Sequence, residues 1–236
     1  LLSQNNIAEH IDFVSGEVIL IDKEKGISSF TIIRQLKRIV RIKKIGHAGT
    51  LDPMATGLVI LCTGKLTKQI ENYQAQEKTY EGVLTLGAIT PSYDAETEVS
   101  QIFDFSSITP DEIEEARKKF LGEIEQIPPI YSALKVGGER LYKKARKGES
   151  VEIKARNVNI FEFDITTINL PEISFRVRCS KGTYIRSLAF DFGKVLNNGA
   201  YLSALRRTFI GDFSVENALS INDFEEKISN AKEVIL

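Results

Sequence analysis

Apolar residues run together or recur at regular spacing along the chain, and the pattern predicts interleaved strands and amphipathic helices. In residues 17–22, Val18, Ile19, Leu20 and Ile21 stand between Glu17 and Asp22, which predicts a mostly buried strand. A turn at Lys25-Gly26 follows. Ser28 or Ser29 is then placed to cap a helix that carries Ile32, Ile33, Leu36, Ile39 and Val40 on one stripe. The apolar run 58–62 predicts a short buried strand, and 78–87 alternates, with Tyr80, Val83, Leu84 and Leu86 as its bulky members. Thr109-Pro110-Asp111-Glu112 is a helix start: the threonine caps, the proline takes the first helical position and the glutamate closes a capping box. Ile113, Ala116, Phe120 and Leu121 give that helix its buried stripe. Residues 151–168 and 173–179 predict two more strands. Gly182-Thr183 caps a helix whose apolar face is Ile185, Leu188, Ala189, Phe192 and Val195, ended by Asn197-Asn198-Gly199. Residues 202–210 lead into a final strand, and Ser220 opens a short helix with Phe224 and Ile228 inward. With no repeat, no low-complexity linker and no boundary between equal halves, the pattern predicts an α+β fold.

The 236 residues are 42% hydrophobic and 27% charged, ordinary values for a soluble protein able to bury a sizeable core. No apolar run approaches membrane-spanning length and no signal segment opens the chain, so a cytoplasmic protein with no membrane partner is expected. The two cysteines, Cys62 and Cys179, end apolar runs and are expected as reduced core thiols. Two cysteines and two histidines give no metal-ligand cluster, so no metal is expected. Gly64-Lys65 is not a phosphate loop: Val59 stands where the first glycine is needed and Leu66 where Ser or Thr should follow the lysine.

Net charge is −1, but its distribution is uneven. Residues 34–44 hold Arg34, Lys37, Arg38, Arg41, Lys43 and Lys44 with no acid. Residues 131–156 hold eight bases against three acids, whereas 71–125 hold thirteen acids against four bases. Either basic stretch alone reads as solvated surface charge; together they predict one positive face and a polyanionic partner. The stretch 131–148 is also thinly apolar and interrupted by Gly137-Gly138, which suits a segment that orders against such a partner. The acidic stretch 92–100 is expected as a surface loop.

Chemistry concentrates in Gly46-His47-Ala48-Gly49-Thr50-Leu51-Asp52-Pro53-Met54-Ala55-Thr56-Gly57. Pro53 biases Asp52 towards an extended backbone, from which its carboxylate can point outward. Taken alone, Asp-Pro in a glycine-bounded loop reads as a turn, with Asp52 hydrogen-bonding its own backbone. A second signal is Arg186 in the first turn of its helix, where a cation opposes the helix dipole. An arginine so placed is expected to have a carboxylate or phosphate partner.

Several stretches together resemble one family, the bacterial tRNA pseudouridine synthases of the TruB type. Residues 46–57 resemble its catalytic motif; Asp22-Lys23 with Gly26, Ser28 and Ser29 its N-terminal motif; residues 128–148 its RNA-gripping thumb. Cys179-Ser180-Lys181-Gly182-Thr183-Tyr184-Ile185-Arg186 is similar to a third motif and Leu205-Arg206-Arg207-Thr208 to the last, in the same order along the chain. The resemblance implies a pseudouridine-synthase fold: a mixed, mostly antiparallel central sheet flanked by helices, in one catalytic domain over 1–236 with a thumb insertion at about 128–156. It implies isomerisation of uridine to pseudouridine at position 55 in the T loop of tRNA, by base flipping, without metal or organic cofactor. Asp52 becomes the nucleophile, a carboxylate able to add and leave; whether it attacks ribose or base stays open. Arg186 would pair with Asp52 and keep it ionised. Tyr80 would stack on the uracil and Tyr184 contact it, a phenol there also being a candidate to take the C5 proton. His47 would fill the place of the flipped nucleotide, and Leu205 would touch the substrate. Lys23, Lys65, Lys135, Arg140, Lys143 and Arg206 are expected at backbone phosphates. The implied partner is the T stem-loop of tRNA, bound by a monomer.

Two departures stand out. Glu24 replaces the proline usual after the motif's lysine, and fewer than thirty residues follow Arg207, so the family's small C-terminal RNA-binding module is expected to be missing. The thumb and the basic helix would then supply most of the grip. An RNA-binding or RNA-folding module on the same scaffold, or an enzyme acting on another RNA, are the rival readings; binding alone needs no set of Asp52, Tyr80, Tyr184 and Arg186.

Overall fold

A computed structural model describes residues 1–5, 10–132, 134–147, 151–231 and 233–235. In chain order the elements used below are β1 (Val18–Lys23), α1 (Ser29–Val40), β2 (Ile45–His47), β3 (Thr56–Thr63), α2 (Ile70–Ala75), β4 (Lys78–Leu86), α3 (Pro110–Lys118), β5 (Gly122–Gln126), α4 (Leu141–Arg146), β6 (Arg156–Asn169), β7 (Glu172–Cys179), α5 (Ile185–Val195), β8 (Ala200–Ile210), β9 (Phe213–Ser214) and α6 (Ile221–Ser229). They form two compact units, Leu1–Tyr80 with Leu205–Leu236 and Glu81–Ala204, whose boundaries fall inside β4 and β8. The sheet is mixed and mostly antiparallel and carries helices, as expected.

The first unit is built around β3, where Leu58, Val59, Ile60, Leu61 and Cys62 are all fully buried. A strand covered on both faces reads as a continuous apolar run, which is why 58–62 was legible. Along one edge β3 pairs antiparallel with β1, Val18 opposite Cys62 through Lys23 opposite Gly57. Its other edge is shared: β2 pairs antiparallel with its end (His47 opposite Leu61) and β8 pairs parallel with its start (Arg207 opposite Gly57). The residues between β2 and β3 must therefore loop out between two partners of the same strand. Val18, Leu20, Leu58, Ile60, Cys62, Ile210 and Val215 form one core cluster. α1 buries Ile32, Ile33, Leu36 and Val40 of the expected stripe, leaves Ile39 half-buried, and packs against α6. Ser28 is the cap, accepting from the Thr31 N–H; Ser29 has a different task, described below. A 3₁₀ turn (Gly64–Gln69) and α2, which no periodicity announced, link β3 to β4.

The second unit pairs β6 antiparallel with β7 on one side and β5 on the other. Its core is aromatic. Phe163 of β6 meets Phe175 of β7, Phe192 of α5 and Phe120 just past α3 at centroid distances of 5.8, 5.9 and 6.3 Å, all edge-on. Such pairs add about 0.5–1.5 kcal/mol each beyond their burial. α3 starts with the complete capping box at Thr109 and Glu112. It stops at Lys118, however, which leaves Leu121 42% exposed instead of in the helical stripe. β6 begins at Arg156, five residues later than the pattern suggested. Both cysteines are free and buried, and burial pushes the Cys62 thiol up to about 11. Among the described residues, no helix is long and apolar enough to cross a membrane.

Candidate active site

In the first unit several anchors of the loop 46–57 can be named. Ala48 N–H donates to Ile60 O, so the loop leaves the sheet only after that residue. Arg207, 1% exposed, then spans the loop's two ends: Nη2 donates to Gly49 O at 3.1 Å and Nε to Leu58 O at 2.8 Å. Gly57 takes φ +103° with the Arg207 backbone so close that a Cβ would lie 2.3 Å from its carbonyl oxygen; only glycine fits. Asp52 itself is flanked by two clamps. Ser29 Oγ accepts from Leu51 N–H at 2.9 Å and donates to Leu51 O at 3.3 Å. Pro53 O accepts from Gly26 N–H at 2.8 Å and from Lys23 Nζ at 3.2 Å, while Ala55 N–H closes a turn onto Asp52 O at 3.1 Å. Leu51 is buried and Asp52 half-buried, so the chain buries one residue and offers the next. The reading of Asp52 as a turn residue holds for its backbone, since Asp52 O accepts from Ala55 N–H.

Lys23 is the clearest correction. It was expected at a phosphate, yet it is 1% exposed, and its ammonium donates to Glu24 O, Ile27 O and Pro53 O. Three carbonyls converging on one cation make it the fastening between β1 and the Asp52 turn. Lys23→Met leaves those carbonyls without that donor, at about 1–3 kcal/mol for each buried group left unmet. The variant is expected to melt about 10 °C lower, at ~2–4 °C per kcal/mol for a chain this size. The salt dependence of RNA binding should not change; a lowered salt slope with unchanged melting would restore the phosphate role.

Other expected residues of this unit fall as follows. His47 ends β2 and is half-buried. Burial holds its imidazole pKa below the ordinary value, the Gly49 backbone hydrogen bond opposes this, and the Arg207 charge adds to the depression. The ring is therefore neutral at pH 7, suited to stacking and not to phosphate. Tyr80 is 8% and Leu205 9% exposed, with Thr56 Oγ1 donating to Leu205 O at 3.5 Å. Arg206 makes a bidentate pair with Asp22 at 3.0 and 2.7 Å, so a carboxylate occupies the fork expected at phosphate. Lys65 is exposed.

In the second unit, α5 begins one residue later than expected. Its cap is Tyr184, whose backbone is held from both sides by the Gln126 amide (2.7 and 3.1 Å), while Thr183 Oγ1 donates to Ser180 O. The Arg156 guanidinium lies 4.6 Å from the centroid of the Tyr184 ring and donates to Gly182 O. Arg186, in the first turn, is 4% exposed. Its guanidinium donates to Ser92 O at 3.1 Å and Tyr131 O at 2.9 Å, and its Nε lies 3.5 Å from Asp94 Oδ2. Within this unit, Asp94 gives Arg186 a carboxylate neighbour. The stretch 92–100 is loop as expected, but not all of it is surface: Ser92 is 2% and Asp94 1% exposed. The other carboxylate oxygen of Asp94 accepts from Ser92 Oγ at 2.6 Å and Glu96 N–H at 2.9 Å. Between Ser92 and Asp94, Tyr93 takes φ +62°, rare for a bulky residue. Its ring is stacked on Phe190 at 3.9 Å, which holds the turn that brings both neighbours to one guanidinium.

The segment expected as a thumb contains a hairpin with a two-residue turn among its described residues. Gly137 and Gly138 both have positive φ (62° and 85°), as the tight turn between Lys135–Val136 and Glu139–Arg140 requires. α4 follows, anchored by fully buried Leu141, and Lys147 Nζ returns to Glu139 at 2.9 Å. Arg140 and Lys143 are exposed; the Lys135 side chain lies outside the described residues. Asp94, Arg207 and Ser29 were missed as site residues. Arg207 and Ser29 stood inside quoted motifs, whereas Asp94 had only its position in an acidic stretch.

The model of the TruB family pseudouridylate synthases (N-terminal domain) matches residues 37–185. The tRNA pseudouridine synthase B of Flavobacterium johnsoniae is 55% identical over 224 residues, covering 92% of this chain and 98% of that protein. That of Phocaeicola vulgatus is 50% identical, covering 92% and 94%. Among solved structures, a Cbf5-Nop10-Gar1 complex matches with a TM-score of 0.71 and 28% identity over 91% of this chain. An H/ACA RNP bound to a substrate RNA containing 2'-deoxyuridine matches with 0.68 and 26%. The chain spans about half the length of those two structures' matched chains, 54% and 53%.

Proposed function

We propose that this chain, which belongs to the TruB family of pseudouridylate synthases, isomerises uridine 55 in the T loop of tRNA to pseudouridine. The N1–C1' bond breaks, the uracil turns, and a C5–C1' bond forms while C5 gives up a proton and N1 takes one. Atoms balance without oxidant, reductant or water. Asp52 is the nucleophile, adding to C1' of the ribose or to C6 of the base and leaving again. The observation that carries this is the double clamp on Leu51 and Pro53, which presents a half-buried carboxylate from a turn fixed at both sides. Tyr80, Tyr184, Arg186 and Leu205 take the substrate-facing roles the resemblance gives them. His47, neutral and half-buried, fills the space left by the extruded nucleotide and offsets part of the few kcal/mol that extrusion costs. The protein acts as a monomer in the cytoplasm, with 128–156 as its thumb.

The test uses an unmodified T-arm stem-loop transcript beside an unrelated stem-loop of equal length. Pseudouridine is expected in the T arm alone. Tight binding of both RNAs with product in neither would favour an RNA-folding module, and product only in the unrelated RNA would move the substrate.

A further inference from the structure

We propose that the outward stripe of α1 is the docking rail for the RNA backbone immediately beside the target uridine; this rests on the function proposed above. The stripe consists of Phe30, Arg34, Lys37, Arg38 and Arg41, which recur at helical spacing and are all exposed. It spans about 16 Å at 1.5 Å per residue, room for two or three phosphates of an RNA strand.

Three observations carry it. First, these cations are unneutralised. Several other surface bases are paired: Arg117 with Glu114, Lys118 with Glu115, Arg176 and Arg178 with Glu162, Arg206 with Asp22, Lys147 with Glu139. Among the described residues no carboxylate pairs with Arg34, Lys37, Arg38 or Arg41, and no acid occurs between 34 and 44. A row of like charges repels itself and complements a polyanion. Second, the row begins at an aromatic. Phe30 is 63% exposed with the Arg34 guanidinium 5.7 Å from its ring centroid, an apolar face and a cation side by side, as in sites that stack a nucleotide while gripping its phosphate. Third, the stripe starts at the nucleophile's loop. Ser29, the residue before Phe30, is hydrogen-bonded to both backbone groups of Leu51, the residue before Asp52. The row thus begins one residue from the side chain that fastens the loop of Asp52, and there we place the phosphates beside the target uridine.

The experiment compares wild type with the combined variant Arg34→Ala, Lys37→Ala, Arg38→Ala, Arg41→Ala. Lys118→Ala with Lys119→Ala serves as the charge control on α3. Binding of the T-arm stem-loop is measured by fluorescence anisotropy from low to moderate salt, and isomerisation by single turnover at saturating RNA. The combined variant is expected to bind at least about 30-fold more weakly at low salt. Its slope of log affinity against log salt should be shallower by about 1.4–2.7, at roughly 0.7–0.9 for each of two or three phosphates lost. Its saturated rate should stay within about twofold of wild type, its melting temperature should not fall, and the control should match wild type. Phe30→Ala should weaken binding about fivefold to tenfold with the slope unchanged, the signature of stacking. An unchanged slope in the combined variant overturns the proposal, as does a loss equal to the control's. A loss seen with whole tRNA but not with the stem-loop overturns the placement beside the target. In each case wild-type product shows the proposed function intact, whereas wild type that binds but makes no pseudouridine removes the function itself.

Discussion

Asp52→Asn is expected to bind the T-arm stem-loop within about twofold of wild type and to form no detectable pseudouridine. The change keeps size and shape. The bonds that set the loop, from Ser29 to Leu51, from Gly26 and Lys23 to Pro53 and from Arg207 to Gly49, go to backbone carbonyls and amides that the substitution leaves in place. What disappears is a carboxylate that can add to carbon and leave. An amide cannot do this at neutral pH, so single-turnover product formation should fall by about a thousandfold or more, at least roughly 4 kcal/mol of barrier. Retained activity within tenfold would show that another group carries the covalent step.

Breaking the buried pair in the second unit should be almost as severe, and should affect stability as well. Arg186→Met removes the guanidinium that serves Tyr131 O, the buried Ser92 O and the buried Asp94 carboxylate. Deleting one member of a buried pair typically costs about 3–5 kcal/mol because the other charge stays behind. That corresponds to a melting point lower by ~10 °C or more in a chain of this length. Arg186→Lys separates the two roles, since it keeps the charge but not the planar fork that reaches three acceptors. It is expected to fold with a small loss of melting temperature and to isomerise at least about a hundredfold more slowly. Asp94→Asn should reproduce part of that loss, because Ser92 Oγ and Glu96 N–H still find an acceptor while the charge facing Arg186 is gone. If Asp94→Asn ran at the wild-type rate, the pair would be structural only.

The structure also shows which signals a chain like this makes readable. β3 was legible because a strand covered on both faces has no polar positions to hide it, and α1 because its apolar stripe and its cationic stripe are complementary. The glycine-bounded, proline-locked loop around Asp52 was legible as a turn, and the role proposed for Asp52 came from the resemblance. The means by which that loop is held were not. Lys23 stands beside a turn, where lysines are ordinarily solvated; that it is buried depends on Pro53, thirty residues later. Ser28 and Ser29 are interchangeable as caps on paper, and only the approach of Leu51 assigns one to the helix and the other to the loop. Arg186 announced by its place against the helix dipole that it needed an acid. The acid in its own unit, Asp94, was concealed in a polar run, 92 positions before its partner, because burial there is created by tertiary packing and by the strained turn at Tyr93. Side chains that build secondary structure leave periodic traces. Side chains that tie one loop to another do not.

Isomerisation in place, with no atom gained or lost, is what nucleoside mass balance tests most directly. An unmodified tRNA transcript is incubated with the wild-type protein, digested to nucleosides and mapped. One uridine per tRNA should be replaced by one pseudouridine, at position 55, with no free uracil and no abasic site. Released uracil, or pseudouridine formed elsewhere and not at 55, would contradict it.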